Sequence, residues 1–346
     1  MKAIVIHKFG PPDVLKYEEV PDPVPRRGEV RIRVMAATVN RVLDVAMRAG
    51  KQGQRGVALP VIPGVDCAGV IDQVGPEVTQ WKVGDRVATA GQMALEPCAE
   101  DGKGYDGPTG MMGIKRPGGF AELITVPAAA LDPLPEKLDF HSAAVVMRHC
   151  PTAWNLLCNV AALKKDEWVL IMGASGNLGS IGIQIAKNVV GAKVICTAGS
   201  DDRVKIGMDL GADHGVNYAR QDIHHEIMRI TGGKGVDVLY DNIANPEVLP
   251  KAFHGIGRDG RLVTAGAHGG PNVTIDMFHL YDHRITVKGM PGHRREDKPK
   301  CFQAAADGKI RVQIAKVMPL SQAAEAHRLI EADPGMGKIV LDPTMP

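Results

Sequence analysis

Gly173-Ala174-Ser175-Gly176-Asn177-Leu178-Gly179 is the stretch of sequence that decides the fold. It directly follows Trp168 to Met172, an apolar run with the length of a buried strand, and the apolar residues after it recur at helical spacing. In such a loop the first glycine permits a tight turn, the second lets a diphosphate approach the backbone, and the third lets helix and strand pack closely. The N–H groups that begin the helix then bind phosphate. Strand, loop and helix in this order predict a dinucleotide-binding site, with a purely structural turn as the alternative.

The chain after this loop alternates between strands and helices. Short apolar runs are separated by stretches with helical periodicity, which is typical of βαβ units and a parallel sheet. The predicted strands are Lys193 to Thr197, Val236 to Tyr240, Arg261 to Ala265 and Ile285 to Lys288, and the predicted helices are Asp202 to Leu210, Gln221 to Ile230 and Pro246 to Ile256. We therefore expect an α/β fold with a doubly wound parallel sheet.

The first third of the chain has a different texture. Its short alternating or apolar runs are separated by Gly and Pro, which predicts a compact β-rich, barrel-like domain. These runs are Ala3 to Ile6, Val30 to Val34, Gly64 to Gly75 and Val83 to Ala88, and near the C-terminus a helix at Ala323 to Ala332 precedes a strand at Lys338 to Leu341. The segment Gln92 to Gly119 lacks periodicity, and we expect a long surface loop or lobe there.

Composition narrows the class of protein. A chain of 346 residues with 45% hydrophobic and 23% charged residues suits two globular domains. Its net charge of +2 argues against a nucleic-acid or membrane partner, and no run approaches the roughly 18 apolar residues of a membrane helix. The six cysteines include no CxxC, which favours reduced thiols over a disulfide scaffold. We therefore expect a cytoplasmic protein that acts on a small molecule.

The end of the second strand predicts which nucleotide binds. A site for NAD usually places an Asp or Glu about 20 residues after the loop, where it holds the ribose 2′-hydroxyl. This chain has Thr197-Ala198-Gly199-Ser200 there, followed by Arg203 and Lys205, and Tyr218 ends the third strand. A neutral strand end beside two cations favours the 2′-phosphate of NADP(H) over NAD(H). The alternative is that Arg203 and Lys205 only form a solvated helix face.

Five segments and the order of the domains resemble the medium-chain dehydrogenase/reductase superfamily. The segments are Gly64 to Val70, Val83 to Val87, Gly118 to Glu122, Thr152 to Trp154 and Gly337 to Leu341. The closest resemblance is to the quinone oxidoreductase and zinc-type alcohol dehydrogenase branches. It implies a GroES-like catalytic domain at 1–151, completed by 294–346, and a Rossmann cofactor domain at 152–293. It also implies a homodimer or homotetramer joined through edge strands of the Rossmann sheets.

The zinc ligands of that superfamily are not matched. Zinc alcohol dehydrogenases have Cys where this chain has Asn40, a His-Glu pair at Val65-Asp66, and a third ligand near Arg148. Catalytic zinc needs three protein ligands, and Asp66 with His149 or Cys150 supplies at most two. The four-cysteine lobe for structural zinc falls within Gln92 to Gly119, where only Cys98 is present. We therefore expect no zinc.

Five polar residues are candidates for the catalytic site. The resemblance places Asn40 against nicotinamide or substrate and Thr152 beside the nicotinamide. Asp44 lies in the same segment as Asn40, which is one residue longer than the usual pattern. Lys51 stands after Arg48-Ala49-Gly50, where some relatives have a Tyr, so a Tyr proton donor is in doubt. His149 has a side chain of the right pKa class to donate a proton, although a single His is more often structural.

Further cofactor contacts are expected where strands of the parallel sheet end, because ligands of such sheets lie beyond the carboxyl ends of the strands. Only their position at strand ends supports Asn242, Gly266, Ala267 and Met290. The alternative for each of these residues is that it only packs within a loop. The full predicted cofactor set is Thr152, Gly173, Ser175, Gly176, Asn177, Leu178, Gly179, Ser200, Arg203, Lys205, Tyr218, Asn242, Gly266, Ala267, Met290 and Lys338.

Three functional hypotheses follow. Without zinc, a substrate that delocalises the incoming negative charge needs the least help, which favours quinones and alkenes conjugated to a carbonyl. The first hypothesis is therefore a zinc-independent, NADPH-dependent oxidoreductase of quinones or activated alkenes. The second is an alcohol dehydrogenase or carbonyl reductase of the same superfamily. The third is a non-catalytic NADPH-binding protein.

Overall fold

The structure is a computed structural model that describes residues 1–51, 56–94, 109–332 and 337–346. The chain forms two compact units: Met1–Arg148 together with Val312–Pro346, and His149–Arg311. No helix in the described part of the chain is both long and apolar enough to cross a membrane.

Seventeen strands are present in the described ranges. They are β1 (Lys2–Ile6), β2 (Leu15–Glu19), β3 (Glu29–Thr38), β4 (Asp66–Val74), β5 (Arg86–Ala90), β6 (Gln92–Ala94), β7 (Thr109–Met111), β8 (Leu123–Pro127), β9 (Asp132–Pro133), β10 (Trp168–Met172), β11 (Lys193–Ala198), β12 (His214–Asn217), β13 (Val236–Asp241), β14 (Ile256–Thr264), β15 (Thr286–Gly289), β16 (Ile314–Pro319) and β17 (Lys338–Asp342).

The helices described by the structure include three segments with π-helical hydrogen bonding. The α-helices are α1 (Ala46–Arg48), α2 (Phe140–Trp154), α3 (Asn177–Gln184), α4 (Asp201–Asp209), α5 (Ile223–Thr231), α6 (Leu249–Phe253), α7 (Met277–Asp282), α8 (Asp297–Ala306) and α9 (Ala323–Ala332). The π-helical segments are Arg41–Val45 before α1, Asn155–Val160 after α2 and Ile185–Val190 after α3, and short 3-10 turns occur at Pro12–Val14, Ala128–Ala130 and Leu320–Gln322.

The second unit contains the predicted parallel sheet. Its order is β12-β11-β10-β13-β14-β15, and every neighbouring pair is parallel. This is the doubly wound order in which the chain reverses direction beside β10, so a crevice opens at the carboxyl ends of β10 and β13. The interior strand β10 (WVLIM) is apolar along its whole length and β13 (VDVLYD) is mostly buried, as expected where helices cover both faces of a parallel sheet.

The first unit is built on a mixed sheet in which β16 and β17 pair in parallel and the other neighbours are antiparallel. Its order is β16-β17-β3-β4-β5-β9, with β8 on β3 as a branch. The C-terminal strand β17 enters this sheet through β3, where Val340 is opposite Thr38 and Leu341 is opposite Ala37. Residues from distant parts of the sequence therefore pack in one core, which includes Ile32, Ile71 and Ile339. This pairing places β17, which begins at Lys338, beside the end of β3.

The structure corrects some predicted boundaries. The helix predicted at Pro246 to Ile256 is shorter, Leu249–Phe253, because β14 already begins at Ile256. The predicted surface segment Gln92 to Gly119 is not wholly superficial. Its ends pair as β6 and β7, and the side chains of Met93, Met112 and Ile114 belong to the core of the unit. Residues 95–108 of that segment, Cys98 included, lie outside the described residues.

Candidate active site

The glycine loop joins β10 to α3 with the predicted geometry. Gly173 has a φ of +76°, a left-handed conformation that favours glycine, and the N–H groups of Gly173 and Ala174 donate to the carbonyl oxygen of Thr197 at 3.1 and 2.9 Å. A Cβ on Gly179 would lie 2.1 Å from the carbonyl oxygen of Gly173, so only glycine allows this approach of helix and strand. Gly176 precedes α3 in an extended conformation and makes no side-chain cap. The loop therefore forms a backbone cradle.

Polar side chains surround this loop at neighbouring strand ends. The Asn242 side chain donates from Nδ2 to the carbonyl oxygen of Met172 at 2.9 Å. A Cβ on Gly173 would meet Asn242 Oδ1 at 3.4 Å, and a Cβ on Gly266 would meet the Asn242 carbonyl oxygen at 2.2 Å. The structure thus brings three of the predicted residues together. Asn242 acts as a brace between strands in addition to any contact with a ligand.

The end of β11 is open and uncharged, as the sequence indicates. Gly199 lies under the ring of Tyr218, since a Cβ there would be 3.1 Å from the Tyr218 hydroxyl oxygen. Ser200 precedes α4 as its N-terminal flanking residue. The nearest acid, Asp201, accepts from Asn217 Nδ2 at 2.7 Å and from Arg220 at 2.5 Å. Both of these bonds are to Oδ1, and the Asp201 side chain stays 59% exposed.

The two cations predicted to bind the nucleotide differ in their surroundings. Lys205 forms an ion pair with Asp209 one helical turn away, with its Nζ 2.7 Å from a carboxylate oxygen. Arg203 is exposed, and no ion pair is found for it among the described residues. Arg203 is therefore the better placed of the two to receive a phosphate.

The remaining predicted contacts of the second unit lie where expected from topology. The Met290 N–H donates to the carbonyl oxygen of Thr264 at 3.0 Å, which keeps it at the carboxyl end of β15. Ala267 is exposed beyond the end of β14. Ser175 and Leu178 are half-buried, and Asn177 is exposed at the first position of α3. Together with the glycine cradle, these strand ends fit a dinucleotide, whose diphosphate would be held by backbone N–H groups at the start of α3.

Asn40 is the centre of a buried hydrogen-bonded group in the first unit. Its Nδ2 donates to Asp66 Oδ2 at 2.9 Å, to Thr38 Oγ1 at 3.1 Å and to the Thr38 carbonyl oxygen at 3.2 Å. Thr38 in turn donates to Asp66 from its backbone N–H at 2.8 Å and from its hydroxyl at 2.7 Å. We call Thr38, Asn40, Asp44, Asp66 and Lys338 the Asn40 network. Both amide hydrogens of Asn40 are used inside it.

Asp44 joins this network because of a local change in helical pitch. The turn Arg41–Val45 is π-helical and accommodates one more residue than an α-helical turn, which suits a segment one residue longer than the usual family pattern. Asp44 Oδ2 accepts from the Asn40 backbone N–H at 2.8 Å, and Asp44 Oδ1 accepts from the Gly64 N–H at 3.2 Å. Burial, with the neighbouring charge of Asp66, raises the pKa of Asp44 to about 7.

Lys338 supplies the positive charge of the network. It is buried, and its Nζ donates to Asn40 Oδ1 at 2.8 Å. Burial lowers the pKa of Lys338 to about 8. The negative charges of Asp66 and Asp44 raise this pKa, and the positive charge of Arg148 lowers it. The sequence predicts Lys338 as a cofactor contact, and in the structure its side chain lies against Asn40.

The other three catalytic candidates are not part of this network. The Lys51 side chain is exposed, and its backbone N–H closes the end of α1 on the Ala46 carbonyl oxygen at 2.8 Å. His149 and Thr152 are half-buried on α2 and belong to the second unit. Their catalytic roles stay predictions.

The side chains at two of the family's zinc-ligand positions, Asn40 and Asp66, are hydrogen-bonded to each other within the Asn40 network. Where a zinc alcohol dehydrogenase has ligands, this chain has an amide and a carboxylate that hydrogen-bond to each other beside an ammonium group. Among the described residues, no group of three or more His, Cys, Asp or Glu side chains is placed to hold a metal ion.

Comparisons with known proteins show the family of this chain. A model of the alcohol dehydrogenase GroES-like domain matches residues 26–136, and a model of zinc-binding dehydrogenases matches residues 178–307. A quinone oxidoreductase of Sus scrofa is 31% identical, with 99% of this chain and 97% of that protein covered. A 2-haloacrylate reductase of Burkholderia sp. is 32% identical, with 99% and 98% covered. The chain belongs to the medium-chain dehydrogenase/reductase superfamily, in its quinone oxidoreductase branch.

Solved structures of this superfamily have the same fold. An NAD-dependent alcohol dehydrogenase is 34% identical, with a TM-score of 0.87 and 99% of each chain covered. A mycobacterial protein in complex with NADPH is 27% identical, with a TM-score of 0.75 over 99% of this chain and 100% of that one. The predicted fold class, a GroES-like domain with a Rossmann domain, is confirmed. This medium-chain dehydrogenase/reductase is an oxidoreductase that acts on small molecules, and its family uses nicotinamide cofactors.

Sequence reasoning missed two members of the Asn40 network. Thr38 carried no signal beyond its position two residues before Asn40. Asp66 was considered only as a zinc ligand, although a carboxylate near Asn40 is equally suited to accept its amide hydrogens. A buried acid of the second unit was also missed: Asp241 ends β13, accepts from the N–H groups of Ile243 and Ala244, and has its pKa raised by burial.

Proposed function

We propose that this enzyme is a zinc-independent, NADPH-dependent reductase of quinones or of alkenes conjugated to a carbonyl. The observation that carries the proposal is the Asn40 network: Asn40 and Asp66, at two positions where zinc alcohol dehydrogenases have ligands, hydrogen-bond to each other, and Asn40 also accepts from Lys338. A reductase without a metal Lewis acid is best suited to substrates that delocalise the incoming charge. The names of the quinone oxidoreductase and 2-haloacrylate reductase relatives support the same substrate classes.

The proposed reaction balances without any further redox partner. NADPH held at the start of α3 would supply a hydride, two electrons with one hydrogen nucleus, to the quinone or to the β-carbon of the alkene. A proton from solvent then adds to the oxygen of the reduced quinone, or to the α-carbon of the alkene. The products are NADP⁺ and a hydroquinone or saturated carbonyl compound. The contacts of Asn40 and Thr152 with nicotinamide or substrate stay predictions, as do the roles of His149 and Lys51.

The preference for NADPH is supported by the surroundings of β11. The uncharged residue Gly199 packs closely under Tyr218 after the end of β11, Asp201 accepts from Asn217, and Arg203 is exposed. No acid ends β11 itself, and the exposed guanidinium group of Arg203 is suited to a phosphate.

The experiment is NADPH and NADH oxidation by the purified enzyme with a panel of quinones, enones, 2-haloacrylate and aldehydes. Metal content is measured in parallel, and each assay is repeated with a chelator. We expect turnover with quinones or conjugated alkenes, preference for NADPH, and no loss with chelator. Turnover restricted to aldehydes or alcohols would instead support the alcohol dehydrogenase alternative, which the similarity to a solved alcohol dehydrogenase favours. Binding of NADPH without turnover on any substrate would indicate a non-catalytic protein.

The proposal extends to a homodimer joined through β15. This strand pairs only with β14 in the described sheet, and all four of its residues are exposed. Met277, Phe278 and Tyr281 on the nearby α7 are also exposed apolar residues. An open strand edge with apolar neighbours is suited to pairing with a second copy about a two-fold axis.

Light scattering tests this assembly. We expect a particle of twice the chain mass, and Val287→Glu on β15 should shift it to monomers by placing two carboxylates in the shared edge. The control is Val24→Glu, an exposed valine of the first unit. A monomeric wild-type protein would overturn the assembly. The domain boundaries 1–151 with 294–346 and 152–293, and the cytoplasmic location, stay predictions from the sequence.

A further inference from the structure

Lys338 is a buried cation that the proposed reaction has not yet used. It begins β17, and the pairing of this strand with β3 carries it to the end of β3, where Asn40 lies. Only 3% of the residue is exposed. Burying an ammonium group is costly unless the surrounding groups compensate for it. A function for the charge of Lys338, or for its hydrogen bond to Asn40, would account for the burial of this ammonium group.

The hydrogen bonds of Asn40 show what Lys338 does to that side chain. An asparagine amide has one accepting and one donating end, and the two can be exchanged by a half-turn. Here Nδ2 faces the acceptors Asp66 and Thr38, while Oδ1 faces the ammonium group of Lys338. The flipped amide would place Oδ1 against a carboxylate and its N–H groups against a cation. Lys338 and Asp66 therefore fix a single orientation of Asn40.

The charges around Asn40 would oppose the proposed reaction without this lysine. The carboxyl groups of Asp66 and Asp44 both lie in the network, and hydride addition places new negative charge on the substrate. The charged groups that act on Lys338 are Asp66 on β4, Asp44 on the π-helical turn and Arg148 on α2. The ammonium group compensates the carboxylates at the one point where it also touches Asn40.

We propose that Lys338 is a positioning residue for hydride transfer: it locks the amide of Asn40 and supplies, in place of a metal ion, the fixed positive charge that favours the anionic product. This inference rests on the proposed function, because it requires the substrate to be reduced beside Asn40. The lysine acts through Asn40 and is not assigned a contact with substrate.

The test compares three substitutions in the full-length enzyme. Lys338→Met removes charge and hydrogen bond, Lys338→Gln keeps a neutral donor, and Lys338→Arg keeps the charge. We expect kcat to fall about 100-fold in the first two, the order found for loss of one preorganised donor, with the KM for NADPH changed less than about twofold. Lys338→Arg should recover at least about a tenth of wild-type kcat and extend activity to higher pH, because arginine stays charged. A kcat of Lys338→Met or Lys338→Gln within about threefold of wild type, with normal unfolding, would overturn the inference.

A second measurement does not depend on turnover. 4-Nitrophenol, whose phenolate mimics an anionic quinol and absorbs at longer wavelength than the phenol, is titrated into the wild-type enzyme with NADP⁺. A fixed cation should lower the pKa of the bound phenol and produce phenolate below the pH at which it forms in solution. Bound neutral phenol, or the same shift in Lys338→Met, would count against Lys338.

The two proposals can fail separately. Wild-type enzyme that reduces no quinone or enone but binds nitrophenolate, with the shift lost in Lys338→Met, would overturn the proposed function and keep the role of Lys338. Turnover that is insensitive to Lys338 would keep the function and overturn the role. Neither turnover nor phenolate binding would overturn both.

Discussion

The glycine loop and the Asn40 network are the two candidate sites, and they are built in opposite ways. The loop from Gly173 to Gly179 is seven consecutive residues whose backbone forms the site. The network joins Asn40 to Lys338 across 298 positions, and its side chains form the site. A backbone site constrains residue size at a few positions, whereas a side-chain site depends on every donor having its acceptor. The two should therefore respond differently to single substitutions.

The largest expected effect is a loss of unfolding free energy when the Asn40 network is broken. Asp66→Ala removes the acceptor of two Thr38 donors and one Asn40 donor and leaves Lys338 less compensated. Breaking a buried charged group in this way costs on the order of 3–5 kcal/mol of unfolding free energy. Urea denaturation measures it. The matched control is Asp72→Ala on the same strand, which breaks a half-buried ion pair with Arg31 and should cost about 1 kcal/mol. Equal losses in the two variants would mean that the network has no special role in stability.

The next effect separates two glycines of the loop. Gly179→Ala forces its Cβ against the Gly173 carbonyl oxygen and should cost about 2–3 kcal/mol of unfolding free energy. Gly176→Ala has its closest contact at an ordinary 3.4 Å and an extended backbone, so stability should change by less than about 0.5 kcal/mol. Its methyl group should nevertheless weaken NADPH binding about tenfold, because the second glycine leaves room for the diphosphate. Calorimetry and fluorescence titration check the pair, and normal NADPH affinity in Gly176→Ala would contradict this assignment.

The pH dependence of stability tests Asp44. Its pKa is raised from 3.8 to about 7 in the folded protein, so the folded state holds this proton more tightly than the unfolded state. The contribution of Asp44 to stability is therefore present below about pH 4 and is lost as the pH rises toward 7. We expect the stability of wild type relative to Asp44→Asn to fall by on the order of 1–3 kcal/mol across this range. Urea titrations at several pH values measure the difference, and a constant difference would show that Asp44 does not titrate there.

The smallest expected effect is a change in the KM for NADPH. Arg203→Ala should raise the KM for NADPH about tenfold, about 1.4 kcal/mol, and leave the KM for NADH unchanged. Lys205→Ala is the matched control, because its charge is already paired with Asp209, and it should change the KM for NADPH less than about twofold. The reverse ranking would move the phosphate contact to Lys205.

Much of the second unit was predictable from sequence, because its signals are local. The apolar run of β10, the glycine spacing and the helical periodicity after it lie within one segment, and the structure has the same elements. The tail helix Ala323–Ala332 was predicted at its observed bounds for the same reason. The helix at Pro246 was predicted too long, since periodicity does not show where a neighbouring strand begins to pair.

The first unit shows what the sequence could not decide. The sequence by itself determined the glycine cradle, the uncharged end of β11 and the missing zinc ligands, since each depends on residue type at a local spacing. Only the tertiary structure decided that Thr38 and Asp66 share the hydrogens of Asn40, that a π-helical turn brings in Asp44, and that Lys338 faces Asn40. Strand pairing between β3 and β17 fixes that last contact. The physical reason is that hydrogen-bond direction and the burial of charge are properties of assembled strands, and no single segment contains them.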